Sequence, residues 1–355
     1  MIRIESETMS FKVSVQPSGK QFDVQPGEAI LAAALRQDVI LPYGCRNGAC
    51  GSCKALVLEG VIEQGAHSSG AMKPEEAERG HALLCCATAA SDLTLQCRVI
   101  AAAGDIPIRK MPCRIASITE AAPDVRILKL QLPANERLQY LAGQYVELLL
   151  RDGSRRSYSM ASAPHAAEQV ELHIRHMPGG KFTDALFGVT QPGFKERDIL
   201  RFEGPMGTFF LREDSDAPIV FVASGTGFAP IKAIIEHAIH KSIRRPMTLY
   251  WGGRRPRDLY MNALCEQWSA ELPDFRYVPV VSDALPEDAW TGRTGFVHRA
   301  VMADLPDLSA CQVYACGAPV VVDSARSDFV EHCGLPEDQF FADSFTSEAD
   351  LAAAK

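Results

Sequence analysis

Cysteines and glycines alternate through one short stretch of the sequence, YGCRNGACGSCK at residues 43–54. A disulfide across two or four residues would strain the bond, and three thiols cannot all pair with one another. The chain has eleven cysteines, and because the sequence predicts no export leader, its thiols are expected to stay reduced. The stretch therefore predicts a metal centre.

The spacing of the cysteines indicates which metal centre this is. Three form C-x4-C-x2-C, and two adjacent cysteines follow after a gap of 31 residues; in order they are Cys45, Cys50, Cys53, Cys85 and Cys86. Three near thiolates and one distant thiolate are the ligand set of a 2Fe-2S cluster. Glycines between them let backbone N–H groups approach the bridging sulfides. The alternatives are an unligated thiol loop or zinc, which usually takes two C-x2-C knuckles or added histidines.

Two stretches in the middle of the chain have residues suited to a phosphate-containing cofactor. RRSYSMAS contains Arg156, Tyr158 and Ser159, although R-x-Y-S by itself also fits an exposed strand edge. The segment ELHIRHMPGGKFTDALF places a strand before a Gly-Gly pair and begins a helix at Phe182 and Thr183. A turn that leads into a helix N-terminus is an anion-binding arrangement.

A third stretch, SGTGFAP, predicts a nucleotide-binding turn. It follows the apolar run PIVFVASG and precedes a helix, so Gly225, Thr226 and Gly227 would offer free N–H groups to a pyrophosphate. The G-x-G-x-x-G fingerprint is absent, and the second strand ends in WGGRR instead of the acidic residue that holds a ribose hydroxyl. The turn alone therefore indicates only a generic nucleotide fold.

The elements that position these motifs divide the chain into three parts. In the first, SFKVSVQP and DLTLQCRVI alternate as strands and EAILAAALRQD reads as a helix. In the second, VRILKLQLP and GQYVELLL are strand-like and no long helix is predicted, which favours an antiparallel barrel. In the third, buried strands alternate with helices, as in doubly wound α/β folds. The predicted domains are residues 1–104, 105–212 and 213–355. A linker is predicted at 101–112, an extension at 1–8 and an acidic, small-residue tail after FFADSF.

Composition narrows the setting. The chain has 355 residues and a net charge of -8, and only residues 105–212 have more basic than acidic side chains. That excess suits an anionic cofactor, and no basic patch with exposed aromatics predicts nucleic-acid binding. No apolar run approaches the roughly 20 residues that a bilayer requires. We therefore expect a cytoplasmic protein that binds neither membrane nor nucleic acid.

The first part resembles plant-type ferredoxins, which have a β-grasp fold and place their fourth ligand in a C-x-A-x-x-x-S-D pattern. Cys85, Ala87, Ser91 and Asp92 fit that pattern. The resemblance implies that the 2Fe-2S ligands are Cys45, Cys50, Cys53 and Cys85. Cys86 is then expected to pack beneath the loop without binding iron.

The middle part resembles the flavin domain of the ferredoxin-NADP reductase superfamily, by R-x-Y-S, the Gly-Gly turn and EGPMGTFFLRE. The resemblance implies that Arg156 pairs with the FAD pyrophosphate, that Tyr158 stacks on the isoalloxazine and that Ser159 hydrogen-bonds near flavin N5. FAD is favoured over FMN because GGKFTDALF fits relatives that hold the adenylate half. The remaining contacts to this cofactor are expected from Ser157, His173, Gly180, Lys181 and Thr183.

The last part resembles the pyridine-nucleotide domain of the same superfamily, because SGTGFAP, YWGGR and YACGAP occur in its order and places. The likeness implies that Gly225, Thr226 and Gly227 meet the pyrophosphate and that Arg254 approaches the adenosine. The nicotinamide would lie near Cys316, Gly317 and Pro319; Cys316 is expected beside the reacting atoms with Ser159, not as a nucleophile. NADH is favoured, and NADPH stays open because Arg254, Arg255 and Arg257 could grip a 2′-phosphate. Phe345 is expected in the core or over the flavin.

Together the three parts predict an electron-transfer enzyme. Nicotinamide delivers two electrons as hydride and an iron-sulfur cluster accepts one at a time, so the flavin between them must divide the pair. The domain order resembles reductase components of bacterial mono- and dioxygenases, and equally the reductase group that serves nucleotide-sugar 3-deoxygenation (CDP-6-deoxy-delta-3,4-glucoseen reductase type). The expected partner is thus a protein acceptor, either a terminal oxygenase or an iron-sulfur dehydratase. A redox sensor or zinc-stabilised binding module is the alternative of another class, and a colourless, zinc-bearing preparation would support it.

Overall fold

Alternating apolar residues build the first sheet. In the strand Phe11–Gln16, Val13 and Val15 are buried and the residues between them are not, as the period of two predicts. A computed structural model describes residues 10–100, 106–166 and 169–345. The predicted extension at 1–8, part of the predicted linker (101–105) and the tail at 346–355 lie outside the described residues.

Residues 10–100 belong to one compact unit, and Ile106–Phe345 form a second one. The first unit has a five-stranded sheet of order β2-β1-β7-β3-β5, a separate β4-β6 pair, and a helix whose apolar face is buried. Its strands are β1 Phe11–Gln16, β2 Lys20–Val24, β3 Lys54–Glu59, β4 Ile62–Gln64, β5 His81–Leu83, β6 Ala87–Ala89 and β7 Leu93–Gln96, and its helices are α1 Ile30–Arg36 and α2 Pro74–Glu78. The predicted β-grasp fold is confirmed.

The strand predicted across DLTLQCRVI is shorter than expected. It covers only Leu93–Gln96, where its parallel pairing with β1 ends at Gln16. The next residue of the partner strand is Pro17, which has no N–H to continue the ladder. The chain therefore leaves the sheet at that point.

The second unit begins with a six-stranded antiparallel sheet of order β11-β10-β13-β8-β9-β12. Met160, just after β11, bridges Leu172 in β12, so the two ends of the sheet meet and close a barrel. The elements are β8 Arg109–Ala122, β9 Val125–Gln131, β10 Tyr145–Leu149, β11 Arg155–Ser159, β12 Gln169–Arg175, α3 Lys181–Leu186 and β13 Ile199–Met206. We call this part the flavin lobe.

The rest of the second unit is a six-stranded parallel sheet of order β17-β16-β15-β14-β18-β19. Separate apolar clusters cover its two faces, one under α4 and α5 and one under α6 and α7, as in a doubly wound fold. The elements are β14 Ile219–Ser224, α4 Phe228–His240, β15 Met247–Gly253, α5 Asn262–Glu271, β16 Phe275–Val281, β17 Arg293–Thr294, α6 Val297–Asp304, β18 Gln312–Gly317, α7 Pro319–His332 and β19 Phe340–Ser344. We call it the nucleotide lobe.

Candidate functional site

The four predicted cluster ligands lie in two pairs. The thiols of Cys45 and Cys50 are hydrogen-bonded to each other, and the backbone N–H of Cys45 donates to Cys50 Sγ at 3.4 Å. The Cys85 thiol is hydrogen-bonded to that of Cys53, which directly precedes β3. Four thiolates shared between two irons give two ligands per iron, so this pairing fits a 2Fe-2S cluster.

The loop around these thiols is prepared for deprotonated sulfur. The N–H of Ala49 donates to Cys45 Sγ at 3.3 Å. The hydrogen bond from Cys45 lowers the pKa of Cys50 to about 5, and the same contact raises the pKa of Cys45. Iron binds thiolates, so a loop that already stabilises one thiolate favours metal binding.

Cys86 adds a fifth sulfur beside the loop. Its Sγ lies 3.5 Å from Cys85 Sγ. A Cβ built at Gly48, whose φ is +78°, would be 2.8 Å from Cys86 Sγ. Gly48 therefore leaves room for Cys86 as well as supplying the turn, and the assignment of Cys85 rather than Cys86 as the ligand stays a prediction.

The described residues also bear on the zinc alternative. Among residues 10–100, 106–166 and 169–345, no three His, Cys, Asp or Glu side chains surround one point that could hold a single metal ion. The two thiol pairs supply the two ligands per iron that a 2Fe-2S cluster requires. The donor set thus favours the cluster.

The predicted flavin contacts lie on β11 and α3. The ring of Tyr158 is half-buried, with its centroid 5.6 Å from that of Phe182. Burial raises the pKa of Tyr158, which keeps the phenol protonated. Arg156 Nη1 donates to the carbonyl of Arg155 at 2.8 Å, and Ser157 is exposed. The structure thus brings Arg156, Tyr158 and Ser159 onto one strand of the barrel.

The Gly-Gly turn is a tight cradle closed by a threonine. Thr183 Oγ1 donates to the carbonyl of Met177 at 2.8 Å. A Cβ at Gly180 would lie 2.6 Å from Thr183 Oγ1 and 2.9 Å from the Met177 carbonyl oxygen, so only glycine fits there. Lys181 extends to solvent and pairs with Asp152 at 2.6 Å. A cradle that a side chain would fill fits a bound phosphate group, as FAD requires.

His173, a predicted contact to FAD, is enclosed by protein groups. Its side chain is completely buried, Nδ1 is 2.8 Å from the Tyr260 hydroxyl and Nε2 is 3.0 Å from Glu171 Oε1. Burial lowers the pKa of His173, so the ring is neutral. Both ring nitrogens are occupied by protein groups, and a ring contact to FAD would have to displace one of them.

The nucleotide crevice lies where the strand order of the parallel sheet reverses, between β14 and β18. Ligands of doubly wound folds bind beyond the carboxyl ends of the strands at such a switch point. Gly225–Gly227 follow β14, and a Cβ at Gly227 would be 2.1 Å from the carbonyl of Cys316. A Cβ at Gly317, whose φ is +142°, would be 2.6 Å from the carbonyl oxygen of Ser224, and Pro319 begins α7. The structure therefore brings together the predicted turn and the predicted C-G-x-P segment.

Sequence reasoning missed one residue at this crevice, Asp343. It is 5% exposed, lies beside Cys316 in the β18–β19 register, and accepts a hydrogen bond from Ser159 Oγ at 3.3 Å. Burial, with a contribution from Asp343, raises the pKa of Cys316, which fits a neutral thiol and not a nucleophile. The only signal was a carboxylate inside the apolar run FFADSF. Phe345, the last residue of that run, donates its N–H to the carbonyl of Gly317 and packs against the core.

Arg175 is a second residue that the motifs did not indicate. A Cβ at Gly225 would be 2.7 Å from Arg175 Nη1, so the guanidinium lies against the nucleotide turn. Its Nε is 3.1 Å from Asp124, while its buried Nη2 has no hydrogen-bond partner among the described residues. A guanidinium beside the turn whose Nη2 is left without a protein partner among the described residues fits a pyrophosphate ligand.

The arginines after β15 differ in availability. Arg255 forms a bidentate pair with Asp288, with distances of 2.5 and 2.7 Å. Arg254 and Arg257 are exposed, and the N–H of Arg254 donates to Asp258. Arg254 can therefore approach an adenosine without giving up an ion pair of its own in the described structure, whereas Arg255 cannot.

Comparisons with known proteins agree with this geometry. The descriptions "2Fe-2S iron-sulfur cluster binding domain", "Oxidoreductase FAD-binding domain" and "Oxidoreductase NAD-binding domain" match residues 13–91, 112–211 and 221–327. No helix among the described residues combines the length and apolar character needed to cross a bilayer.

Relatives match over nearly their whole length. The CDP-6-deoxy-L-threo-D-glycero-4-hexulose-3-dehydrase reductase of Yersinia pseudotuberculosis is 41% identical, covering 95% of this chain and 99% of its own. Reductase component 1 of terephthalate 1,2-dioxygenase from Comamonas sp. is 36% identical, covering 96% and 98%. The Amycolatopsis cytochrome P450 reductase GcoB is 33% identical with a TM-score of 0.73, covering 95% and 99%. The chain therefore belongs to the three-domain branch of the ferredoxin-NADP reductase superfamily, whose members pass electrons from NAD(P)H through FAD and a 2Fe-2S cluster.

Proposed function

We propose that this reductase supplies single electrons to the terminal oxygenase component of a mono- or dioxygenase system. The observation that carries this proposal is the full-length similarity to oxygenase reductases in both kinds of comparison, namely terephthalate 1,2-dioxygenase reductase in sequence and the cytochrome P450 reductase in structure. NADH is the proposed donor and the cytoplasm the proposed location, the latter supported by eleven cysteines that are all free thiols in the structure.

The proposed division of labour follows the geometry of the side chains. Arg156, Tyr158, Ser157, Gly180, Lys181 and Thr183 hold FAD, and Ser159 orients its reacting edge. Gly225, Thr226, Gly227 and Arg254, with Arg175 added, hold the dinucleotide. Cys316, Gly317 and Pro319 shape the nicotinamide site. His173 acts on the FAD site indirectly, through its hydrogen bonds with Tyr260 and Glu171. When bound, FAD supplies the change from hydride to single-electron transfer, and the four cysteines hold the cluster that delivers those electrons.

A second acceptor has its own supporting observation. The relative at 41% identity is a reductase named for a nucleotide-sugar dehydrase, so an iron-sulfur dehydratase is the alternative partner. Motifs for internal electron transfer are shared by both groups. The distinction therefore depends on the docking of the partner.

The test is reoxidation of the NADH-reduced protein under anaerobic conditions. Purified terminal oxygenases and a purified nucleotide-sugar dehydrase with its substrate would each be mixed with it in a stopped-flow instrument. We expect an oxygenase to reoxidise the cluster at least about tenfold faster than the dehydrase at low salt, because complementary docking raises association rates. Faster reoxidation by the dehydrase would favour the second candidate, and no reduction by either NADH or NADPH would contradict the reductase assignment itself.

A further inference from the structure

The outward face of β12 joins the flavin lobe to the nucleotide lobe. Val170, Leu172 and Ile174 fill the barrel core, so the alternate residues point away from it. Each of these contacts the nucleotide lobe: Glu171 contacts Lys232, His173 contacts Tyr260, and Arg175 contacts Gly225. One strand thus carries three consecutive contacts across the seam between the lobes.

Lys232 is the centre of this seam. Its side chain, on α4, is 8% exposed. The ammonium donates to the carbonyl of Ala161 at 3.1 Å, and it lies 3.2 Å from Glu171 Oε1 and 2.8 Å from Glu236 Oε1. An ammonium has three N–H donors, so all three are matched by protein oxygens.

Two carboxyl groups, those of Glu171 and Glu236, lie beside the Lys232 ammonium. Burial alone would raise the pKa of Glu171, but the hydrogen bond with His173 and the charge of Lys232 outweigh it and lower the pKa to about 2. Burial raises the pKa of Glu236 despite the same lysine. Buried ion pairs contribute little net stability compared with apolar packing, and their best-attested role is to fix one register.

The arrangement that Lys232 fixes joins the flavin side of the proposed site to its nucleotide side. Ala161 is two residues after Ser159, and its N–H donates to the carbonyl of Glu171 at 2.7 Å. Lys232 lies in the first turns of α4, directly after Gly225–Gly227. One ammonium therefore connects the end of the flavin-binding strand to the helix that begins at the nucleotide turn.

We propose that Lys232 is a positioning residue that, through Glu171 and Ala161, sets the distance between the flavin and the nicotinamide. The proposal goes beyond the proposed acceptor and rests on the proposed roles of Ser159 and Gly225–Gly227. Hydride transfer depends steeply on geometry, and a displacement of about 1 Å costs about a hundredfold in rate. A shift of the seam would therefore slow transfer while leaving the nucleotide contacts in place.

The test compares Lys232→Met with Lys232→Arg and with Lys241→Met, an exposed lysine at the end of the same helix, in the complete FAD-loaded protein. Stopped-flow reduction of the flavin by NADH and by 4-deuterated NADH separates the limiting rate from the NADH dissociation constant. We expect Lys232→Met to lower the limiting rate by at least about tenfold and raise the isotope effect, with a smaller change in the dissociation constant. Lys232→Arg restores most of the rate because it keeps the charge, and Lys241→Met equals wild type.

A readout apart from turnover is hydrogen exchange of peptides containing Ala161 and Glu171. Exchange is expected to quicken in Lys232→Met, with FAD content unchanged. An unchanged limiting rate, or a loss confined to the dissociation constant, would overturn the proposal. If Lys232→Met does not fold, Glu171→Gln decides, and a wild-type rate in that variant would also overturn it. Failure of the reductase assignment differs from these outcomes, because wild-type flavin would then be reduced by neither NADH nor NADPH.

Discussion

Ser159 donates a hydrogen bond to Asp343 across 3.3 Å, although 184 positions separate them in the chain. Both residues are buried, and Asp343 lies beside Cys316 in the adjacent strand. The hydroxyl proposed to orient the flavin is thus itself oriented by a carboxylate of the nucleotide lobe. The pair connects the two lobes at the point where hydride is proposed to pass.

Replacement of Asp343 is predicted to slow flavin reduction. Asp343→Ala removes the charged acceptor of the Ser159 hydroxyl, and such a hydrogen bond is worth about 1.5–3 kcal/mol, so the limiting rate with NADH should fall at least about tenfold. Asp343→Asn keeps an oxygen acceptor and should lose less. Asp338→Ala, on an exposed turn before β19, is the control. A wild-type rate in Asp343→Ala would exclude this role.

The assignment of Cys50 and Cys85 as cluster ligands, and of Cys86 as a cysteine that does not bind iron, predicts different outcomes for their replacement. Cys50→Ala should lose iron and stop reduction of cytochrome c while NADH still reduces the flavin, because only the cluster pathway is removed. Cys85→Ser should lose the cluster too, whereas Cys86→Ser should keep it. Iron analysis and the visible spectrum measure this. Cluster loss in Cys86→Ser with retention in Cys85→Ser would reverse the ligand assignment, and unchanged cytochrome c turnover in Cys50→Ala would contradict the cluster as exit route.

Arg175 is predicted to act in binding and not in the transfer step. Arg175→Met removes a cation beside the nucleotide turn, so the NADH dissociation constant should rise about tenfold or more. The limiting rate of flavin reduction should change by less than about twofold, since the contact is remote from the reacting atoms. Arg114→Met, an exposed residue on β8, serves as the control. An unchanged dissociation constant in Arg175→Met would exclude the contact.

The Lys232 seam predicts a pH-dependent stability difference. In the wild type the lowered pKa of Glu171, about 2, gives a contribution present above about pH 4.5 that is lost as the pH falls towards 2. The raised pKa of Glu236 acts in the opposite direction, since its contribution is present below about 4.5 and is lost as the pH rises through the folded value.

Without the lysine, both carboxyl groups are expected to have raised pKa values. Lys232→Met should then be destabilised by about 3 kcal/mol at pH 8, where two partly buried carboxylates have lost their cation, and by less at pH 5. Thermal unfolding of wild type, Lys232→Met and Lys241→Met at both pH values measures the difference. A gap between Lys232→Met and wild type that is equal at the two pH values would contradict this account.

Local sequence patterns predicted most of the strands and helices. The period of two in SFKVSVQP became β1, and the apolar face through Ile231, Ile234 and Ile235 became the buried side of α4. These patterns succeed because burial depends on local periodicity. The domain boundaries at 104/105 and 212/213 stay predictions, and β7 was shorter than expected because the partner strand reaches Pro17.

The sequence by itself indicated the chemistry, because C-x4-C-x2-C, R-x-Y-S and the glycine turns are short motifs whose residues are close along the chain, and because a second short pattern marks the distant Cys85. Only the tertiary structure decided that Asp343 meets Ser159, that Arg175 lies against Gly225 and that Lys232 joins both lobes. Those contacts depend on strand order and on the closure of the barrel, which bring together residues far apart in the chain. No local spacing encodes them.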